Sequence, residues 1–386
     1  MASKKALVNS SLETIDFEEF GQLVKYLDPS VALMIHGPPG IGKSAWLLGN
    51  PVLSPCMQIG LATRQPEDIS GCPYPLLEEG ITKFLPLDWL RTYSIGGPQG
   101  EDPKGCIFFD EYDKGTPEKQ VAVMRLLSER EMEGLKIGPN VRIILAANRR
   151  EDQAGVFHDM PRVVRNRLVH FQIEPSLKYW MENFAYKHGN VHSLVTTYLD
   201  RSPGDFIQYD PKTADFGFPT PRSWAAVSKI LHAVDAGMSS GLAFKAMVGA
   251  VGQGIGTKFQ VIMNHMEKLP KLEDLISGKA DFPADDVFDE WIALVSTCLS
   301  TAEAGIRSGT KKDLKGMQKV CKIIMKIPET KSGQEFRFLL IKSLSSRPST
   351  AEYFLRETHH ETPGLNKLIG KVLQQSQKEQ QDAGMF

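Results

Sequence analysis

The stretch His36-Gly37-Pro38-Pro39-Gly40-Ile41-Gly42-Lys43-Ser44 matches the pattern G-x-x-x-x-G-K-S/T, and its flanks decide how the whole chain is read. Upstream, Val31-Ala32-Leu33-Met34-Ile35 is a short apolar run fit for a buried parallel strand; downstream, Ser44-Ala45-Trp46-Leu47-Leu48 opens a helix. Glycines at 37, 40 and 42 let the backbone curl until its N–H groups face phosphate oxygens, and the helix adds its positive end. Lys43 is placed to reach β- and γ-phosphates, and Ser44 to ligate Mg2+. With Pro38, Pro39 and Ile41 completing its wall, the stretch is expected to bind a nucleotide.

The remaining composition narrows the field. The chain has 386 residues, room for two or three domains, and 45 basic against 46 acidic side chains. Such balance points to neither a general polyanion binder nor a membrane-surface protein. No apolar run approaches the ~20 residues of a membrane span, and Met1-Ala2-Ser3-Lys4-Lys5 lacks the apolar stretch of a signal peptide. A cytoplasmic protein is expected. The five cysteines, 56, 72, 106, 298 and 321, are scattered without a C-x-x-C pair, which fits reduced thiols and assigns them no chemistry.

Along the chain, residues 17–24 read as a short amphipathic helix and 56–59 as a second strand. Residues 61–105, rich in proline and glycine, are too long for an idle connection. Within them 67–86 reads as a loop or hairpin whose Tyr74, Lys83 and Phe84 either grip a partner or anchor the loop to its own domain. Gly105-Cys106-Ile107-Phe108-Phe109-Asp110-Glu111 is an apolar run ending in two acids, the form of a buried strand that delivers carboxylates to its C-terminal edge. Asp110 is expected to hold Mg2+ through water, and Glu111 to orient and deprotonate the water that attacks the γ-phosphate.

A helix over 118–133 is followed by a turn and by a strand over 141–148 that ends in Asn148, an amide suited to polarising that water or simply to ending a strand. Arg162, Arg165 and Arg167 precede a fifth strand, 168–173. A guanidinium here either is solvated or reaches a neighbouring subunit's γ-phosphate, and spacing does not choose between Arg165 and Arg167. From Pro175 the pattern is helical, at 177–188, 192–199, 223–235 and 242–251, with Arg222 fixed at a helix start beside Pro221. Beyond 269, helices are expected over 286–302, 312–327 and 334–345. His359-His360 reads as a solvated pair, and the glutamine-rich 374–381 as a frayed tail.

In order and spacing these motifs resemble those of the AAA+ superfamily, specifically its MoxR-like branch of bacteria and bacteriophages, over about Val31 to Ile230. The resemblance makes residues 37–44 Walker A, 107–111 Walker B, Asn148 sensor 1, Arg167 the first choice and Arg165 the second for an arginine finger, and Arg222 sensor 2. It implies an α/β P-loop core, residues 1–174, with a five-stranded parallel sheet sandwiched by helices. An all-α lid, 175–270, and a helical C-terminal region, 271–386, follow. It also implies ATP and Mg2+ as cofactors at the subunit interfaces of a ring, commonly a hexamer, and residues 67–86 as the region that couples hydrolysis to a target.

Family members often remodel or activate a protein, working with a partner that bears a von Willebrand factor A domain. A nucleic-acid motor or loader on the same fold is the alternative, since fold does not settle cargo, although the near-neutral charge and lack of a DNA-binding motif weigh against it. A nucleotide switch without hydrolysis has no use for Glu111. GTP fits less well than ATP, because Asn148-Arg149-Arg150-Glu151 departs from the guanine-reading N-K-x-D.

Overall fold

Apolar runs that alternate with amphipathic segments fold into layers, and this chain forms two units: residues 1–176 with 209–213, and residues 177–208 with 214–386. The computed structural model describes residues 12–152, 157–187, 191–210, 216–307, 313–360 and 364–370. The expected tail at 374–381 lies outside the described residues, as do the side chains of His359 and His360.

The first unit opens with β1 (Thr14–Ile15), α1 (Phe17–Tyr26), β2 (Leu33–His36), α2 (Lys43–Gly49) and β3 (Cys56–Gly60). It continues through α3 (Glu67–Ser70), β4 (Cys72–Leu76), β5 (Ile81–Leu85), α4 (Asp88–Thr92), β6 (Lys104–Asp110) and α5 (Pro117–Glu129). Last come β7 (Glu131–Met132), β8 (Leu135–Lys136), β9 (Asn140–Ala147), α6 (Arg162–Arg165) and β10 (Val169–Ile173).

Six strands form one sheet in the order β1-β10-β2-β9-β6-β3, every neighbouring pair parallel. Five are those read from the sequence, and the sixth is β1, two residues that pair with Gln172 and Ile173. Helices cover the sheet through aromatic contacts. Phe20 of α1 meets Trp46 of α2 and Phe171 of β10, and Trp89 of α4 stands edge-on to Phe109 of β6.

Local chemistry sets the ends of these elements. Asp16 caps α1 by accepting the N–H groups of Glu18 and Glu19, while the Glu19 carboxylate accepts the Asp16 N–H. The helix expected to reach residue 133 stops at Glu129, because Arg130 and Glu133 take positive φ and Gly134 follows; the chain turns there into the small β7–β8 hairpin. Residues 72–85 form a separate antiparallel hairpin in which Pro73 faces Phe84, Tyr74 faces Lys83 and Pro75 faces Thr82. Its apolar side chains Tyr74, Ile81, Phe84 and Leu85 are exposed, as is Leu77 at its tip.

The second unit is helical: α7 (Leu177–Trp180), α8 (Ser193–Arg201), α9 (Pro221–Asp235), α10 (Ser240–Lys268), α11 (Leu272–Ser277), α12 (Phe288–Arg307), α13 (Asp313–Lys326), α14 (Lys331–Ser346) and α15 (Pro348–His360). Several helices differ from the sequence reading: α11 and α15 lie outside the expected set, α12 runs to Arg307 instead of 302, and α14 begins at Lys331 instead of 334. The helix from 177 becomes π-helical over Met181–Ala185. The α9 helix begins two residues early, where Thr220 and Ser223 form a capping box with Pro221 at the first turn. The α10 helix runs past 251 to Lys268, with a non-helical break at Gly252. A single apolar core unites the segment expected as a lid with the segment beyond 270: Trp224 and Phe259 share it with Trp291, Ile323 and Phe336. Trp291 stacks on Phe336 with the rings 5° apart, and the Trp224 Nε1–H donates to the Phe206 carbonyl at 3.0 Å.

One buried cation ties the first unit together. Arg142, on β9 and 4% exposed, donates to the carbonyls of Val24 (3.1 Å), Leu27, Asp28 (3.3 Å) and Val31 (3.5 Å), which closes the end of α1 onto the start of β2. Arg142→Leu would leave those carbonyls without their donor and should cost about 3 kcal/mol. A urea titration followed by circular dichroism reads this; an unchanged midpoint would mean that α1 is held without the guanidinium.

Candidate functional site

The C-terminal ends of β2, β6 and β9 lie at one edge of the sheet, because parallel pairing points them the same way. The loop after β2 turns where Gly40 and Gly42 take φ of +79° and +101°. At Gly37 the constraint is space, since a Cβ would stand 2.7 Å from the Ile41 Cδ1 and 3.0 Å from the Ile173 carbonyl oxygen. Lys43, almost fully buried at the start of α2, turns back over the loop. Its Nζ donates to the carbonyls of Gly37 (2.8 Å) and Pro38 (3.0 Å) and to the Asn148 Oδ1 (3.2 Å). The structure therefore brings Asn148, one residue past β9, to the loop.

Asp110 ends β6 as a buried carboxylate. Its Oδ2 accepts from the Ser44 hydroxyl at 2.6 Å and from the Gln58 Nε2 at 2.7 Å, and its Oδ1 from the Glu111 N–H at 2.8 Å. Glu111 is exposed, and its backbone is left-handed, with φ 51° and ψ 42°. A non-glycine residue held there carries roughly 1 kcal/mol of strain, a cost found at functional turns.

The arginines differ in their surroundings. Arg167 donates to the Ser128 hydroxyl on α5 and to the Val163 carbonyl, whereas Arg165 makes a loose 3.7 Å ion pair with Asp159. Both are exposed. Arg222, exposed in the first turn of α9, belongs to the second unit.

Three supporting residues were not legible beforehand. Gln58 is one, and its only signal was an amide inside a strand-like run. Asp113, 3% exposed, accepts the Asn148 N–H at 3.3 Å and so fixes the end of β9. Gln120, fully buried on α5, donates to the carbonyls of Tyr112, Gly115 and His158, which knits the turn after Asp110 to its neighbours.

A histidine pair lies under the loop. His36 precedes Gly37, and its Nε2 is 3.1 Å from the His170 Nδ1, while the His170 Nε2 is 3.0 Å from the Arg165 carbonyl. A carbonyl only accepts, so His170 carries its proton on Nε2 and His36 donates to the His170 Nδ1. Burial, then the charges of His170, Lys43 and Arg165, push the His36 pKa down to about 4.

Among the described residues, one trio could be mistaken for a metal site: His192, His232 and Asp235, whose ligand atoms lie within 4.8 Å of one another. The His192 Nδ1 accepts the Leu194 N–H at 3.1 Å, so its proton sits on Nε2, which donates to Asp235 at 3.2 Å. A ligating histidine instead gives its metal one lone pair and donates through the other nitrogen. The trio is a helix cap steadied by a carboxylate.

No family model matches the chain, and neither does any curated protein. Among solved structures, a candidate ATPase from Cytophaga hutchinsonii is similar at 12% identity and a TM-score of 0.31, over 56% of this chain and 73% of that one. NtrX from Brucella abortus is similar at 17% identity and a TM-score of 0.28, over 95% and 69%. Likeness at this level adds no argument to the geometry above.

The histidine pair makes the first unit sensitive to acid. His36 has an ordinary pKa of 6.5 and a folded value of about 4, so the unfolded chain takes up the proton first. The stability this group contributes is full above about 6.5 and is lost as pH falls towards about 4, by up to about 3 kcal/mol. Thermal unfolding from pH 7 to pH 4 should show a steeper loss for the native chain than for His36→Gln; parallel curves would remove His36 from that account.

Proposed function

We propose that this chain is an ATPase of the AAA+ superfamily, of the MoxR-like branch, that works as a ring and uses hydrolysis to remodel or activate a partner protein. The observation that carries the reading is the pair of bonds Lys43–Asn148 and Ser44–Asp110, which join three motifs far apart in sequence.

The residues present fit ATP and Mg2+. The loop admits no side chain at Gly37, its lysine ammonium is satisfied by loop carbonyls that phosphate oxygens can replace, and Ser44 with Asp110 offers the hard oxygen donors that Mg2+ prefers. Bound together, ATP and Mg2+ supply the scissile phosphoanhydride and the neutralising charge. In this reading Lys43 holds the β- and γ-phosphates, and Ser44 and Asp110 hold the ion, with Gln58 fixing the carboxylate. Glu111 takes a proton from the attacking water while Asn148 orients it. Arg167, or Arg165 after it, stabilises charge at a neighbouring subunit's nucleotide, and Arg222 senses the nucleotide from the helical unit.

The 72–85 hairpin is the coupling element. Its exposed Tyr74, Lys83 and Phe84 support the reading that these side chains grip a partner instead of anchoring the hairpin to its own domain. A protein partner, with a von Willebrand factor A domain protein as one class, fits such a surface better than nucleic acid does. DNA-stimulated turnover with steep salt dependence would reverse that choice.

Steady-state ATP hydrolysis measured against protein concentration, with mass determined at each point, tests the reading. Specific activity should rise as the ring assembles, and a monomer of equal activity would sink both ring and finger. Lys43→Ala should lose nucleotide binding. Glu111→Gln should keep binding and lose about a hundredfold or more in turnover. Arg167→Ala should bind normally and lose about a thousandfold, with partial rescue on mixing with Lys43→Ala subunits.

A further inference from the structure

Where β3 pairs with β6, Cys56 stands opposite Cys106, and where β6 pairs with β9, Cys106 stands opposite Arg142. Opposed residues of a parallel ladder project to the same face, so two thiols and a guanidinium form a row across three strands. All five cysteines are free.

The register beside them is fixed. Gly105 has φ +122°, and a Cβ there would stand 2.2 Å from the Pro55 carbonyl oxygen. The bare Cα lets that carbonyl close in and accept both the Cys106 N–H (2.9 Å) and the Tyr93 hydroxyl (3.1 Å). Adjacent strands lie about 4.8 Å apart, inside the Cα separation of about 4.4–6.8 Å that a disulfide spans.

The two sulfurs are unequal. Cys56, on the edge strand, is half-buried, and Cys106 is sealed in the sheet. The neighbouring Cys106 side chain holds the Cys56 thiol below its ordinary pKa; burial pushes the Cys106 thiol up, opposed by Arg142.

We propose that Cys56 and Cys106 are an oxidant-responsive dithiol that a hydroperoxide closes into a disulfide between β3 and β6. The Cys56 thiolate attacks the peroxide: an S–O bond forms, the O–O bond breaks, and the departing oxygen leaves as water or alcohol with the proton given up by the thiol. Cys106 sulfur then attacks the sulfenic sulfur of Cys56; an S–S bond forms, the S–O bond breaks, and the hydroxyl leaves as water with the Cys106 proton. Two thiols lose two electrons, and the peroxide gains them.

The test uses the full chain, treated with hydrogen peroxide, denatured in N-ethylmaleimide, digested without reductant and mapped by mass. The expected product is a linked pair of peptides holding Cys56 and Cys106, two hydrogens lighter than the separate peptides and released by dithiothreitol. It should persist in Cys72→Ser and vanish in Cys56→Ser, where Cys106 is recovered alkylated. The proposal is overturned if both cysteines are recovered alkylated from the treated native chain. It is equally overturned if Cys56 is recovered as sulfinic acid beside a free Cys106, or if the linkages formed all run through exposed Cys72.

Discussion

A carboxylate taken out of water must be met by donors, and Asp110 is met by three: the Ser44 hydroxyl, the Gln58 amide and the Glu111 N–H. These donors come from three segments, the helix after the glycine loop, the edge strand β3 and the turn that follows β6. The strand order makes this possible. With β9 between β2 and β6, the glycine loop, the acids and Asn148 emerge side by side at one edge of the sheet, and β3 on the far side of β6 brings Gln58. A shift of one residue in any of these strands would turn its side chain to the opposite face, so the apolar packing that fixes register also fixes the site.

The second unit is built around one apolar core. Its helices on either side of residue 270 contribute to one core, with Trp224, Trp291 and Phe336 fully buried within it. A lid expected to end near 270 thus shares its core with the described helices α11 to α15. Any motion of residues 177–208 within such a core would have to carry α12 and α14 along, because close-packed interiors move as bodies.

Much of the α/β framework could be read from the sequence because each central strand is an apolar run that ends in the residue that matters: His36 before the glycines, Asp110 before Glu111, Ala147 before Asn148. The two-residue β1 shows no period and exists only through its pairing with β10. The end of α5 is not legible because the periodic pattern continues past Glu129, while the backbone at Arg130 turns left-handed. Gln58, Asp113 and Gln120 gain their meaning from groups many residues away, which no local pattern encodes. The two arginines that spacing left equivalent are distinguished only by their neighbours, Ser128 and the Val163 carbonyl for one and Asp159 for the other.

The hairpin of residues 72–85 leaves Tyr74, Leu77, Ile81, Phe84 and Leu85 exposed, a surface that ordinarily invites strands of other molecules to pair along its edges. Pro73 and Pro75 alternate with Cys72, Tyr74 and Leu76, whose amides lie on the side of the ladder that faces β5. The two prolines therefore occupy the outward-facing positions, where a strand added from outside would look for N–H groups and find none. Along the β4 edge the hairpin can offer its side chains to another molecule while withholding its amides, so that edge does not become a template for aggregation.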